Sequence, residues 1–140
     1  LEFALEELAR NGRTFSTSTP AYAGSILTYL QQHTHEKVTL EDLSARFSLS
    51  RSHLSRVFQE TYHTSPIKYL IYSRMIQART YILDENLPPA EIAKRLAFHN
   101  TYHFSRTFES FFGCRPENYR EFALRSEQYP DHQYERNHRE

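Results

Sequence analysis

The chain has 140 residues, enough for one ordinary domain with short extensions, and its 39% hydrophobic content supports a modest core. Seventeen Lys and Arg against seventeen Asp and Glu leave no net charge, so the chain is not basic throughout. The single cysteine, Cys114, excludes an internal disulfide and a multi-cysteine zinc site, no apolar run approaches 18 residues, and no signal peptide is visible. A reducing cytoplasm fits these features. The charges are segregated: residues 39–120 carry eleven Lys and Arg against eight Asp and Glu, a balance of +3, while both ends are slightly acidic.

In chain order, residues 1–10 place Leu1, Ala4, Leu5 and Leu8 at helical spacing, and Asn11-Gly12 ends that helix. The chain starts at Leu1 rather than Met, so the segment is expected to be the C-terminal part of a longer protein or a processed form. Its first helix then closes a preceding domain, couples to one, or is a partly ordered extension. Residues 12–20 form a Gly/Ser/Thr/Pro linker. A helix over 21–34 buries Ile26, Leu27 and Leu30. Thr39 caps a helix over 40–46, with Asp42 three residues on and Leu40 and Leu43 in the core. Phe47-Ser48-Leu49 makes a turn, and Ser50 caps the next helix. His63 closes that helix where a left-handed residue is expected. Ser65-Pro66 opens a long helix to about Leu83, with Tyr69, Leu70, Met75, Ala78, Ile82 and Leu83 apolar; it measures about 28 Å. Asp84-Glu85-Asn86 ends it. Pro88-Pro89 starts a helix burying Ile92, Ala93 and Leu96. Pro116 opens a final helix carrying Tyr119, Phe122 and Leu124, and from Ser126 the polar tail is expected to be disordered.

One stretch occurs twice. Residues 50–69 and 100–119 align at an offset of 50, matching His53 with His103, Ser55 with Ser105, Arg56 with Arg106, Phe58 with Phe108, Pro66 with Pro116 and Tyr69 with Tyr119. Upstream the offset is 49, matching Leu43 with Ile92, Phe47 with Leu96 and Leu49 with Phe98. Two copies of one helical unit explain this, each a short helix, a tight turn and a second helix. The inner face of the second helix is Leu54, Val57, Phe58 and Thr61 in one copy, and Phe104, Thr107, Phe108 and Phe111 in the other. The outer faces carry Arg51, Ser52, Ser55, Arg56 and Gln59, and Thr101, Tyr102, His103 (by its match), Ser105, Arg106 and Glu109. An outer face of Arg, Ser, Thr, Tyr and His with few acids suits the major groove of DNA, where Arg can fork onto guanine. The bland alternative is a solvated face of an ordinary bundle; the repeat of the same Ser-Arg pair argues against it.

The pattern A-F-x-N-x-x-x-F-S-R-x-F-x-x-x-F-G-x-x-P-x-x-Y-R, read from Ala97 to Arg120, resembles the AraC/XylS family of bacterial transcription activators, and the likeness spans roughly residues 22–122. The resemblance implies an all-α fold of about seven helices, with two helix-turn-helix subdomains joined by a long linker helix. On that division residues 1–20 are the N-terminal helix and linker, 21–64 the first subdomain, 65–84 the linker helix, 85–124 the second subdomain and 125–140 the tail. It implies DNA contacts from Arg51, Ser52, Ser55, Arg56, Thr101, Tyr102, His103, Ser105 and Arg106, with two helices entering adjacent major-groove segments of a promoter. Arg74 matches a family arginine expected in a structural ion pair. Family members usually carry Gly where Ser48 and Ala97 stand, so these turns either do not need a positive φ or tolerate a cost on the order of 1 kcal/mol. RNA polymerase is the implied protein partner, and any dimerisation would pass through a domain outside these residues.

No catalytic motif, cofactor loop or metal set is apparent. His99 and His103 are four apart but lack a third ligand, and only three glycines are present. The repair-cysteine signature of methyltransferases that carry such a domain is absent, and no cupin-like strand pattern suggests an effector chamber. The competing reading is a helical protein-interaction module that has lost DNA binding; Arg51, Arg56 and Arg106 speak for DNA.

Overall fold

The computed structural model of the protein describes residues 21–128. The expected N-terminal helix and linker over 1–20, and residues 129–140 of the expected tail, lie outside them. Among the described residues there are seven α-helices and no strand. They are α1 (Ala21–Gln32), α2 (Leu40–Phe47), α3 (Arg51–Tyr62), α4 (Pro66–Leu83), α5 (Pro89–Arg95), α6 (Thr101–Phe112) and α7 (Tyr119–Gln128). A short 3-10 turn, Pro116–Asn118, precedes α7. The helices form two compact units that meet between Arg74 and Met75, inside α4.

The first unit buries Ala23, Ile26, Leu27 and Leu30 of α1 against Leu43 of α2, Leu54, Val57, Phe58 and Tyr62 of α3, and Tyr69 and Leu70 of α4. Val38, Leu40, Phe47 and Leu49 pack at its rim. Thr39 opens α2 with a reciprocal cap. Its hydroxyl accepts from the Asp42 N–H at 3.1 Å, and the Asp42 carboxylate accepts from the Thr39 N–H at 2.9 Å. The Thr39 main-chain N–H, then its hydroxyl, hold the Asp42 carboxyl below its ordinary value. A depressed folded value means that the unfolded chain takes up the proton first. The contribution is present above about pH 4 and is lost as the pH falls through the folded value. Asp42→Asn is therefore expected to flatten the loss of stability between about pH 5 and pH 2, measured by urea unfolding at each pH. An unchanged acid slope would show that the cap does not titrate with folding.

The second unit buries Met75, Ala78 and Ile82 of α4, Ile92 and Ala93 of α5, Leu96, and Phe104, Phe108, Phe112 and Tyr119. Its centre is aromatic: Phe108 lies 5.9 Å from Phe104, 4.6 Å from Phe112 and 5.3 Å from Tyr119, centroid to centroid. Such rings favour offset and edge-on contacts, as here.

The repeat is visible in the capping chemistry. Ser50 and Asn100 cap α3 and α6, each accepting from the main-chain N–H three residues on. His63 and Gly113 close the same helices in the left-handed region, at φ 59° and 78°. The inner turns also match. Ser48 and Ala97 have φ of 54° and 58°, and the N–H groups of Leu49 and Phe98 reach back to the Ser44 and Ala93 carbonyls at 3.2 and 2.9 Å. Leu49 also accepts from the Ser44 hydroxyl.

Several expectations need correction. Of the two alternatives for the turns at Ser48 and Ala97, the first fails and the second holds: both residues adopt positive φ and bear its cost. Ala97 has no polar side chain to offset it. Ala97→Gly is expected to stabilise the protein by about 0.5–1 kcal/mol, seen as a higher denaturant midpoint with unchanged slope. A destabilised variant would mean that the methyl group contributes more through packing than it costs in strain. The inner stripes end on Tyr62 and Phe112, which are buried, rather than on Thr61 and Phe111, which are half-buried. Tyr72 joins the buried positions of α4, whereas Leu83 and Leu124 are 39% and 58% exposed. The first helix ends at Gln32, and the last runs to Gln128 instead of giving way at Ser126. Beyond the ion pair expected of it, Arg74 holds main chain: its Nε and Nη2 donate to the carbonyls of Thr34 and Glu36 at 3.1 and 2.7 Å. Burial lowers its pKa. Arg120 does the same in the second unit, donating to the Ile82 and Leu83 carbonyls at 2.7 and 3.1 Å. In each unit an arginine thus satisfies carbonyls at or just beyond the end of that unit's opening helix.

Candidate nucleic-acid interface

In the first unit α2, the Ser48 turn and α3 form a helix-turn-helix. Leu54, Val57, Phe58 and Tyr62 anchor α3 inward. That anchoring leaves Arg51, Ser52, Arg56 and Gln59 exposed on one stripe, with Ser55 half-buried among them. In the second unit α5, the Ala97 turn and α6 repeat the motif. Phe104, Phe108 and Phe112 point inward, and Thr101, Tyr102, His103 and Arg106 are exposed, with Ser105 half-buried. Tyr102 is 73% exposed, more than any other large hydrophobic side chain described. All nine residues expected at the interface therefore lie on α3 or α6, four on the first and five on the second.

The electrostatics separate these helices from those before them. The first turns of α2 and α5 hold acids, Glu41 and Asp42 in one and Glu91 in the other, as the positive end of a helix favours. The first turns of α3 and α6 hold none. Their positive ends carry Arg51 and Ser52, and Thr101 and Tyr102. A helix start with exposed donors and no acid in its own first turn favours an acceptor such as a phosphate or a base edge, although at α3 an acid of α2, Glu41, lies beside Arg51.

The two copies are not equivalent in detail. His103 is exposed, its ring 5.4 Å from Phe98, and its carbonyl accepts from the Thr107 hydroxyl at 2.9 Å. Its counterpart His53 is half-buried and set edge-on to Tyr22 at 6.2 Å. Arg51 pairs with Glu41 at 3.0 Å, while Arg56 and Arg106 form no ion pair with a described residue. Sequence reasoning missed the Asn100 cap and Glu41. The first was legible, since Asn100 aligns with Ser50 and Asn is a strong cap. Burial and Glu109 push the Cys114 thiol upward, away from the reactive range. Among the described residues no three His, Cys, Asp or Glu cluster as metal ligands, and no helix is long and apolar enough to cross a membrane.

This fold and these outward faces define a helix-turn-helix DNA-binding domain of a bacterial transcription regulator. A model of the helix-turn-helix domain family matches residues 43–121. The chain is 40% identical over 95 residues to the HTH-type transcriptional regulator YdiP of Escherichia coli, covering 68% of this chain and 31% of that protein. It is similar to the C-terminal domain of AraT, a response regulator from Geobacillus stearothermophilus (TM-score 0.72, 28% identity, 76% of this chain and 88% of that one). It is also similar to the DNA-binding domain of AdpA, a global transcriptional factor solved with a target DNA (TM-score 0.68, 26% identity, 78% of this chain and 96% of that one). The protein belongs to the AraC-type helix-turn-helix family of transcriptional regulators. It spans about a third of the length of YdiP.

Proposed function

We propose that the protein inserts α3 and α6 into the major groove of a promoter, and that Arg51, Ser52, Ser55, Arg56, Thr101, Tyr102, His103, Ser105 and Arg106 make its DNA contacts. The observation that carries this reading is the twice-repeated arrangement of a capped helix, an acid-free first turn and an outward stripe holding an arginine one turn or more in. Such a stripe offers both phosphate and base-edge donors. The activator role, contact with RNA polymerase, a cytoplasmic location on the nucleoid and dimerisation through a further domain follow from the family, and belong to the proposal in the same way.

Binding is expected to fall steeply with salt, because each neutralised phosphate releases counterions. A gel shift with fragmented genomic DNA at stepped salt concentrations tests the whole reading; salt-independent binding, or none, would remove it. Arg106→Ala tests one contact. Loss of about 1–3 kcal/mol on the cognate site, with little change on random DNA, is the expected result for a bidentate base reader. Equal losses on both, with a salt slope lower by about one contact, would place Arg106 on a phosphate instead.

A further inference from the structure

Arg51 stands at the first position of α3, where a helix in the groove brings side chains to base edges. Its Nη1 donates to Glu41 Oε1 at 3.0 Å, across the turn from α2, with the two side chains 61% and 73% exposed. A pair so open to solvent contributes little to stability, since water screens it. The second unit does without it: Ala90 and Thr101 occupy the aligned positions. The pair's effect is therefore to be sought in what Arg51 can bind.

A lone exposed arginine is drawn to the nearest phosphate, which carries no sequence information. A carboxylate at 3.0 Å changes that preference. It compensates the guanidinium charge and repels a phosphate approaching the same edge. The remaining N–H groups of this exposed side chain are still able to donate, and neutral acceptors such as the O6 and N7 atoms of guanine do not suffer the repulsion. The hydrogen bond also narrows the rotamers of a long side chain before binding, which lowers the ordering cost. We infer that Glu41 is a positioning residue that withholds Arg51 from phosphate and reserves it for a base edge, and so sets the sequence discrimination of the first unit. This rests on the reading of α3 as a recognition helix.

The test uses the full chain, a duplex selected by it from a random pool, and a random duplex of the same length. In Glu41→Ala, Arg51 is released to phosphate. Random-duplex affinity should rise about two- to threefold, and the selected-to-random ratio should fall about tenfold, the range for one base contact. The salt slope should steepen by about one contact. Arg51→Ala alone should lower the ratio and leave the salt slope unchanged, and Glu41→Ala should have no effect on the ratio in an Arg51→Ala background. Thermal unfolding should match the parent, because the capping acid of α2 is Asp42 and not Glu41. The proposal is overturned if Glu41→Ala changes both affinities by one factor, or if Arg51→Ala flattens the salt slope by about one contact; in either case DNA binding itself stands. A parent chain that binds neither duplex would overturn the recognition-helix reading along with it.

Discussion

Phe108→Ala is expected to destabilise the second unit by about 3–5 kcal/mol, the range for removing a fully buried phenyl ring. Phe108 has no exposed surface and touches Phe104, Phe112 and Tyr119 through its ring. These neighbours come from α6 and α7, so the void cannot close by shifting one side chain. Against a total stability of about 5–15 kcal/mol, such a loss removes a third or more of what holds the fold. Chemical denaturation gives the number directly, and a cost under about 1.5 kcal/mol would mean that the aromatic centre is loosely packed. The neighbouring pair checks the register of α6. Phe112→Ala should cost more than Phe111→Ala, because only Phe112 is buried. The reverse order would restore the stripe expected from spacing alone.

Inserting five base pairs between the two halves of the target site is expected to weaken binding by about 10²-fold, or roughly 3 kcal/mol. The two candidate recognition helices, α3 and α6, are separated in the chain by α4 and α5, and the 18 residues of α4 measure about 27 Å along the helix axis. Successive major-groove segments on one face of DNA recur about every 34–36 Å. If one chain reads both, its site is two short unequal elements about one turn apart, and half a turn of added DNA carries one element to the far side. The readout of that unit is then lost. Unchanged affinity after the five-base-pair insertion would show that one unit alone engages DNA. The inequality expected between the elements has a basis in the residues: the first helix offers Arg51 and Arg56, the second Tyr102, His103 and Arg106.

Much of the fold was legible because its punctuation is local chemistry. Thr39 and Ser50 announce helix starts by the hydrogen bond each hydroxyl can make, and Pro66 fixes the start of α4 because the N–H it lacks is one that a helix start leaves unpaired. The ends of the inner stripes were not. At 3.6 residues per turn, positions i+7 and i+8 fall on either side of the stripe, and Tyr62 and Phe112 take it by filling more of the core than Thr61 or by aiming more deeply than Phe111. The strained turns were left open between two alternatives, because neither Ser48 nor Ala97 itself advertises the positive φ that accompanies the inward packing of Leu49 and the ring of Phe98. The continuation of α7 past Ser126 reflects the lack of a Gly or Pro before Pro130, a negative signal easily outweighed by polar composition. At the candidate interface Arg56 and Arg106 could be read from the repeat, and Arg51 from its place on the outer face. Glu41 could not, since its partner is ten residues away and meets it only through the turn.

The helix α4 closes one unit and opens the other: Tyr69 and Leu70 lie in the first core, Ala78 and Ile82 in the second, and the boundary at Arg74 and Met75 is regular helix. Domain borders ordinarily fall in exposed loops, where a protease can enter and where evolution can insert, delete or recombine. Here there is no such seam. A cut at the border would strand four N–H groups on one side and four carbonyls on the other. Any event that separates the two copies, proteolytic or genetic, must therefore break a helix and leave each half of α4 with a new end to cap.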